Sequence, residues 1–179
     1  MGYRRLFIWV EGDDDSIFFD RIVKPIFQEK YDRVEVIEYA QKQNDYVIKF
    51  VKSIEGMKAD FIFIADINSA PCISERKQKL HKIFKNVDED RILVIVQEIE
   101  SWYLAGLDEA SSEKLRLPIF KTTNSVTKEQ FNGLIPEKFD SRIDFMLEIL
   151  KHFSLRTAKQ KNDSLRYFIE KYQKEGENL

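Results

Sequence analysis

The chain has 179 residues, 43% of them apolar, with one cysteine, Cys72, and a formal net charge of −2 from 29 basic and 31 acidic side chains. This composition supports a packed core and excludes wholesale disorder, a disulfide framework and a Cys-rich zinc site. The balance is uneven: residues 1–110 carry 16 basic and 21 acidic side chains, a net −5, and residues 111–179 carry 13 and 10, a net +3.

The first hundred residues alternate between two patterns. Leu6–Val10 is a nearly continuous apolar run, as expected of a strand buried on both faces. Asp14, Asp15 and Ser16 offer capping residues, and Ile17, Phe18, Ile22 and Ile26 follow at roughly helical spacing. Val34–Tyr39 reads as a second strand, and Tyr46, Val47, Phe50, Val51 and Ile54 as a helical stripe ending near Gly56. Phe61–Ala65 is a third buried strand, Leu80, Ile83, Phe84 and Val87 give the next helix its apolar side, and Ile92–Val96 is a fourth strand. Four strands alternating with helices predict right-handed βαβ units, and so an α/β fold: a four-stranded parallel sheet flanked by helices. After Trp102 only helices are expected, at Val126–Leu134, Ile143–Phe153 and Ala158–Tyr172. The expected division is an α/β core over 1–107 and a helical C-terminal extension over 108–179, packed on the core.

Open parallel sheets place their sites at the carboxyl ends of the strands. Here strand one ends in Glu11-Gly12-Asp13-Asp14-Asp15, strand three in Asp66-Ile67-Asn68 and strand four in Gln97-Glu98-Ile99-Glu100. Taken singly, Glu11 also reads as a helix-capping acid and Asp66-Ile67-Asn68 as a turn. Three acidic strand ends at one edge repel one another unless a cation neutralises them, and oxygen donors suit Mg²⁺.

Val10-Glu11-Gly12 after a buried strand, with Asp66-Ile67-Asn68 ending the third, resembles the TOPRIM domain of topoisomerases, primases and OLD-type nucleases. Within that superfamily, residues 5–107 are most similar to OLD-type nucleases and small stand-alone TOPRIM proteins of prokaryotic defence systems. Glu11 and Asp15 match a glutamate and an acid four positions later, Asp66 and Asn68 match DxD imperfectly, and Glu98-Ile99-Glu100 matches a further acidic motif. Glu100-Ser101-Trp102-Tyr103-Leu104 is similar to a Glu-x-Trp-Leu segment of the stand-alone proteins. The resemblance implies Mg²⁺ (or Mn²⁺)-dependent phosphodiester cleavage or phosphotransfer. Glu11, Asp15, Asp66, Asn68 and Glu98 would be the metal ligands. Glu11, Asp66, Glu98 and Glu100 would be catalytic, with Lys159 or Lys161 supplying the lysine of a later helical segment. Asn68 departs from the pattern: its amide oxygen can ligate but brings no charge, which weakens a second metal.

Arg76, Lys79 and Lys82 recur at i, i+3 and i+6, a face opposite the apolar side of their helix, and Lys151, Arg156, Lys159, Lys161 and Arg166 form a second basic group. Arg76, Lys79, Lys82 and Arg156 are therefore candidates for nucleic-acid contact, although Lys-rich helix faces are commonly just solvated. Trp102 and Tyr103 read as core residues, and His81, His152 and Cys72 as structural. No apolar run is long enough to span a membrane, and the N-terminus is too short in apolar residues for a signal peptide, so a cytoplasmic location is expected. The expected partner is DNA or RNA, with a partner ATPase and a homodimer as further expectations. The alternative is a non-catalytic TOPRIM-fold module that binds nucleic acid or a partner ATPase. A receiver-like domain is the third reading, disfavoured because no fifth strand is evident.

Overall fold

The computed structural model describes residues 2–85 and 87–174. The chain forms two compact units, Met1–Val94 and Ile95–Leu179, and passes from one to the other within the last strand.

The first unit is built on β1 (Arg5–Val10), β2 (Arg33–Glu38), β3 (Asp60–Asp66) and β4 (Ile92–Ile95), in the order β2-β1-β3-β4. The sheet is the four-stranded parallel sheet that the apolar runs predict. β1 is central: Leu6–Val10 are all buried, which explains why the run is apolar without alternation. Between the strands come α1 (Asp13–Phe18), a π-helical turn (Phe19–Val23), α2 (Lys24–Phe27), α3 (Asn44–Gly56) and α4 (Ile73–Ile83). The single helix expected around residues 17–26 is thus three consecutive helical segments.

One core cluster joins β1 and β3 to the helices. Phe7, Trp9, Phe61, Phe63 and Ala65 alternate along the two strands and meet Val47, Val51 and Ile54 of α3 and Leu80 of α4. Fully burying side chains of this size contributes about 1.5–3 kcal/mol each. Tyr39, just past β2, stacks its ring 4.3 Å from that of Phe63.

The second unit is helical: α5 (Ile99–Ala105), α6 (Glu109–Leu115), α7 (Lys128–Gly133), α8 (Arg142–Lys151), α9 (Leu155–Lys161) and α10 (Asp163–Lys174). Helices α5 and α6 were not expected from the pattern. The helix expected over Ala158–Tyr172 is broken at Asn162. That side chain is fully buried: its Nδ2 donates to Ser101 Oγ and Thr123 Oγ1, each at 3.2 Å, and its Oδ1 accepts from Ser164 Oγ at 2.8 Å and from the Leu165 amide at 3.0 Å. The last bond caps the start of α10. Removing the side chain strands several buried partners, so Asn162→Ala is expected to cost at least about 2 kcal/mol in urea unfolding. A loss under about 0.5 kcal/mol would show that the network is not what holds this corner. Trp102 and Tyr103 are core residues as expected, and Trp102 Nε1 donates to Ser164 Oγ at 2.8 Å.

Candidate functional site

In the strand order β2-β1-β3-β4 the chain leaves β1 to one side for β2 and crosses to the other for β3. The crevice beyond the carboxyl ends of β1 and β3 is therefore the topological switch point, where ligands of open α/β sheets bind. Glu11 follows β1 directly and Asp66 is the last residue of β3, so the register of the sheet, with Trp9 opposite Phe63, brings these strand ends side by side.

Arg76 of α4 sits across this crevice. Its Nη2 donates to Glu11 Oε1 at 2.7 Å and its Nε donates to the Asp66 carbonyl oxygen at 2.7 Å. The Arg76 side chain is only 9% exposed. Spacing alone puts Arg76 on the solvent face with Lys79 and Lys82; the structure corrects this. A buried guanidinium needs acceptors, and two strand ends distant in sequence supply them. Lys79 and Lys82 are exposed, as expected.

Glu11 is enclosed further. The Tyr39 hydroxyl lies 3.3 Å from Glu11 Oε1 and 3.0 Å from the Ile64 carbonyl oxygen, and the Asn68 side chain hydrogen-bonds Glu11. Burial raises the Glu11 pKa above its ordinary value, against the opposing pull of the Arg76 charge and of the bonds from Tyr39, Arg76 and Asn68. Burial, and then the Glu11 charge, push the Tyr39 hydroxyl well above its ordinary value, so it keeps its proton as a donor. Asn68 holds a left-handed backbone with φ 50°, a conformation that Asn and Asp tolerate better than most residues. Asp15 is buried in the first turn of α1, where its Oδ2 accepts from the Gly12 amide at 3.3 Å.

Beside Arg76 lies a cavity of about 480 Å³ between the 67–71 loop and α4, lined by Asn68, Ser69, Glu75, Arg76, Lys79 and Lys82 among others. Three cations thus face one acid around a single concavity, and Arg76 and Asn68 belong both to it and to the Glu11 cluster.

The other candidates lie in the second unit, where Glu98, Glu100 and Lys161 have partners of their own. Glu98 is the residue before α5, and its Oε2 accepts from the Lys128 amide. Glu100 is 2% exposed; its carboxylate pairs with Arg142, and Lys128 Nζ lies 3.9 Å away. Burial raises the Glu100 pKa against these cations. Arg142 also donates to Asn132 Oδ1 and stacks over the Phe131 ring at 5.1 Å. Lys161 Nζ donates to the Leu107 carbonyl oxygen at 2.6 Å, and burial lowers its pKa. Lys159 is half-buried on α9 and Arg156 is exposed there. Sequence reasoning missed Tyr39 and Arg142 altogether. Tyr39 carried a weak signal, as a polar-tipped aromatic at a strand end, and Arg142 carried none.

The donor chemistry around β1 and β3 fits one hard cation. Glu11, Asp66 and Asn68 offer only oxygen-bearing ligands, and the position already attracts a positive group. The set is small: among the described residues no three His, Cys, Asp or Glu side chains are grouped to hold even one metal ion, so a cation here would lean on two carboxylates and the Asn68 amide oxygen.

No family model and no curated protein matches this chain. Among solved structures, the C-terminal region of the Burkholderia pseudomallei OLD protein aligns with 98% of this chain and 100% of its own length. The TM-score is 0.52 at 15% sequence identity, a likeness that establishes a shared fold. The C-terminal region of the Xanthomonas campestris pv. campestris OLD protein aligns over 97% and 99%, at 17% identity and TM-score 0.43. Among the described residues no helix is long and apolar enough to cross a membrane.

Proposed function

We propose that this chain is a TOPRIM-type protein that binds nucleic-acid phosphodiesters and cleaves them with the help of one divalent cation, Mg²⁺ or Mn²⁺. The observation that carries this reading is the arrangement at the switch-point crevice. A half-buried carboxylate, Glu11, holds a cation there, the Arg76 guanidinium, beside a cavity lined by Arg76, Lys79 and Lys82. The fold shared with the Burkholderia OLD region adds support at the level of architecture.

Glu11, Asp66 and Asn68 are the residues that would hold the ion, which when bound supplies polarisation of a phosphate and stabilises charge on the leaving oxygen. The remaining work falls to the chain itself. Tyr39 and Asn68 fix the orientation of the Glu11 carboxylate. Lys79 and Lys82, on the same α4 face of the cavity, attract the phosphate backbone. Charge reversal at both, Lys79→Glu with Lys82→Glu, is expected to weaken oligonucleotide binding by about tenfold or more and to flatten its salt dependence. Unchanged anisotropy titrations across salt concentrations would remove the α4 face from the interface.

A second reading is favoured by the Arg76–Glu11 pair itself and by the neutral Asn68. In that reading the guanidinium is the permanent counter-ion, and the chain is a non-catalytic module for nucleic acid or a partner ATPase. A divalent-metal titration followed by cleavage assays on single- and double-stranded DNA and RNA separates the two. Metal binding with cleavage supports the first reading, and nucleic-acid binding without metal binding supports the second. A role in prokaryotic defence rests on the resemblance alone.

A further inference from the structure

Two positive groups are candidates for the Glu11 carboxylate: the Arg76 guanidinium that is on it and the divalent cation of the proposed function. The two compete for it, since each weakens the other's hold through repulsion. A divalent cation on Glu11 therefore loosens Arg76, and the loosened side chain has a destination beside it. Arg76 lines the neighbouring cavity together with Lys79 and Lys82, opposite the 67–71 loop. Glu11 and the Asp66 carbonyl engage two of its N–H groups. The planar guanidinium fork matches a phosphate bidentately once it turns from Glu11.

We propose that Arg76 is a shared counter-ion that couples the two halves of the site: it guards Glu11 in the empty protein and becomes the phosphate ligand of the adjacent cavity when a divalent cation takes its place. This deepens the function proposed above and rests on it. Glu11 keeps a positive partner in both states, so the half-buried carboxylate is never left uncompensated. The coupling is reciprocal by thermodynamic necessity: a phosphate that draws Arg76 into the cavity vacates Glu11 for the cation, and the cation readies Arg76 for the phosphate. Glu75, the one acid among the cavity residues named, opposes phosphate entry and makes the third cation worth recruiting.

The test uses the full chain and needs no turnover. Mn²⁺ affinity is measured by calorimetry for the unaltered protein and for Arg76→Gln, with Arg76→Ala as a second variant in case one of them fails to fold. Binding of a phosphorothioate-protected oligothymidylate is followed by anisotropy with and without Mg²⁺ at constant ionic strength. Removing the guanidinium is expected to tighten Mn²⁺ about tenfold, within the usual range for coupled sites. In the unaltered protein Mg²⁺ should tighten the oligonucleotide, and in the variants that effect should shrink to what the ion's own contact with the phosphate supplies. Equal Mn²⁺ affinities in all three proteins, or the same Mg²⁺ effect on the oligonucleotide in each, would overturn the coupling while leaving the metal site standing. Absence of Mn²⁺ binding in every protein would overturn the metal site and the coupling with it.

Discussion

Arg142→Ala is expected to destabilise the protein by about 3–5 kcal/mol, the usual result of stripping the partner from a buried charge. Its partner Glu100 is 2% exposed, and the only other cation near that carboxylate among the described contacts is Lys128, 3.9 Å away. Burial already holds the Glu100 pKa above its ordinary value, and losing Arg142 removes two of the influences that lower it. The sign of the pH effect follows. A carboxyl whose folded pKa lies above its unfolded value binds its proton more tightly when folded. The associated stability is present in full below the unfolded value and is lost as pH rises through the folded one. The penalty of Arg142→Ala should therefore be smallest near pH 4 to 5 and grow toward neutrality, because protonation rescues an unpaired Glu100. Urea unfolding at acid and at neutral pH measures this. A penalty under about 1 kcal/mol, or one that grows on acidification, would contradict the assignment of Glu100 and Arg142 as a buried pair.

Glu11→Gln carries the largest expected effect on chemistry. Glutamine keeps the shape of the side chain and can accept from Tyr39, but it removes the charge that a cation at the β1–β3 crevice requires. Metal-assisted charge stabilisation is worth several kcal/mol, so divalent-dependent cleavage should fall by at least about a hundredfold. Divalent affinity should fall with it. Asp66→Ala should weaken the divalent ion as well, and calorimetry on that variant checks the metal assignment without reference to catalysis. Undiminished cleavage by a folded Glu11→Gln protein would remove Glu11 from the mechanism.

The parts of the fold that were legible in the sequence are those whose pattern is local. Parallel strands buried on both faces read as unbroken apolar runs, and Leu6–Val10, Phe61–Ala65 and Ile92–Ile95 are such runs. Helix α3 was legible because Val47, Val51 and Ile54 fall on one stripe. Helix α5 was not, because all seven of its residues are buried and no polar face marks its period. Asn162 was hidden inside a helical pattern that extends on either side of it. Its role depends on Ser101 and Thr123, which lie far away along the chain.

The same division holds for the site. The acids at the ends of β1 and β3 were legible because strand ends place them at the switch point whatever their neighbours do. Arg76 was misplaced because its partners are 65 and 10 residues away, and helical spacing knows nothing of them. The third acidic motif illustrates the limit of counting charges. Glu98 and Glu100 read as candidate ligands, yet in the structure a backbone amide holds one and an arginine the other.

The most direct assay is incubation of the purified full chain with single- and double-stranded DNA and RNA in Mg²⁺, in Mn²⁺ and in excess chelator. Cleavage of at least one of these substrates is expected in the presence of either metal, abolished by the chelator and by Glu11→Gln. Intact substrates under every metal condition, from a protein that still binds the nucleic acid, would contradict the proposed function.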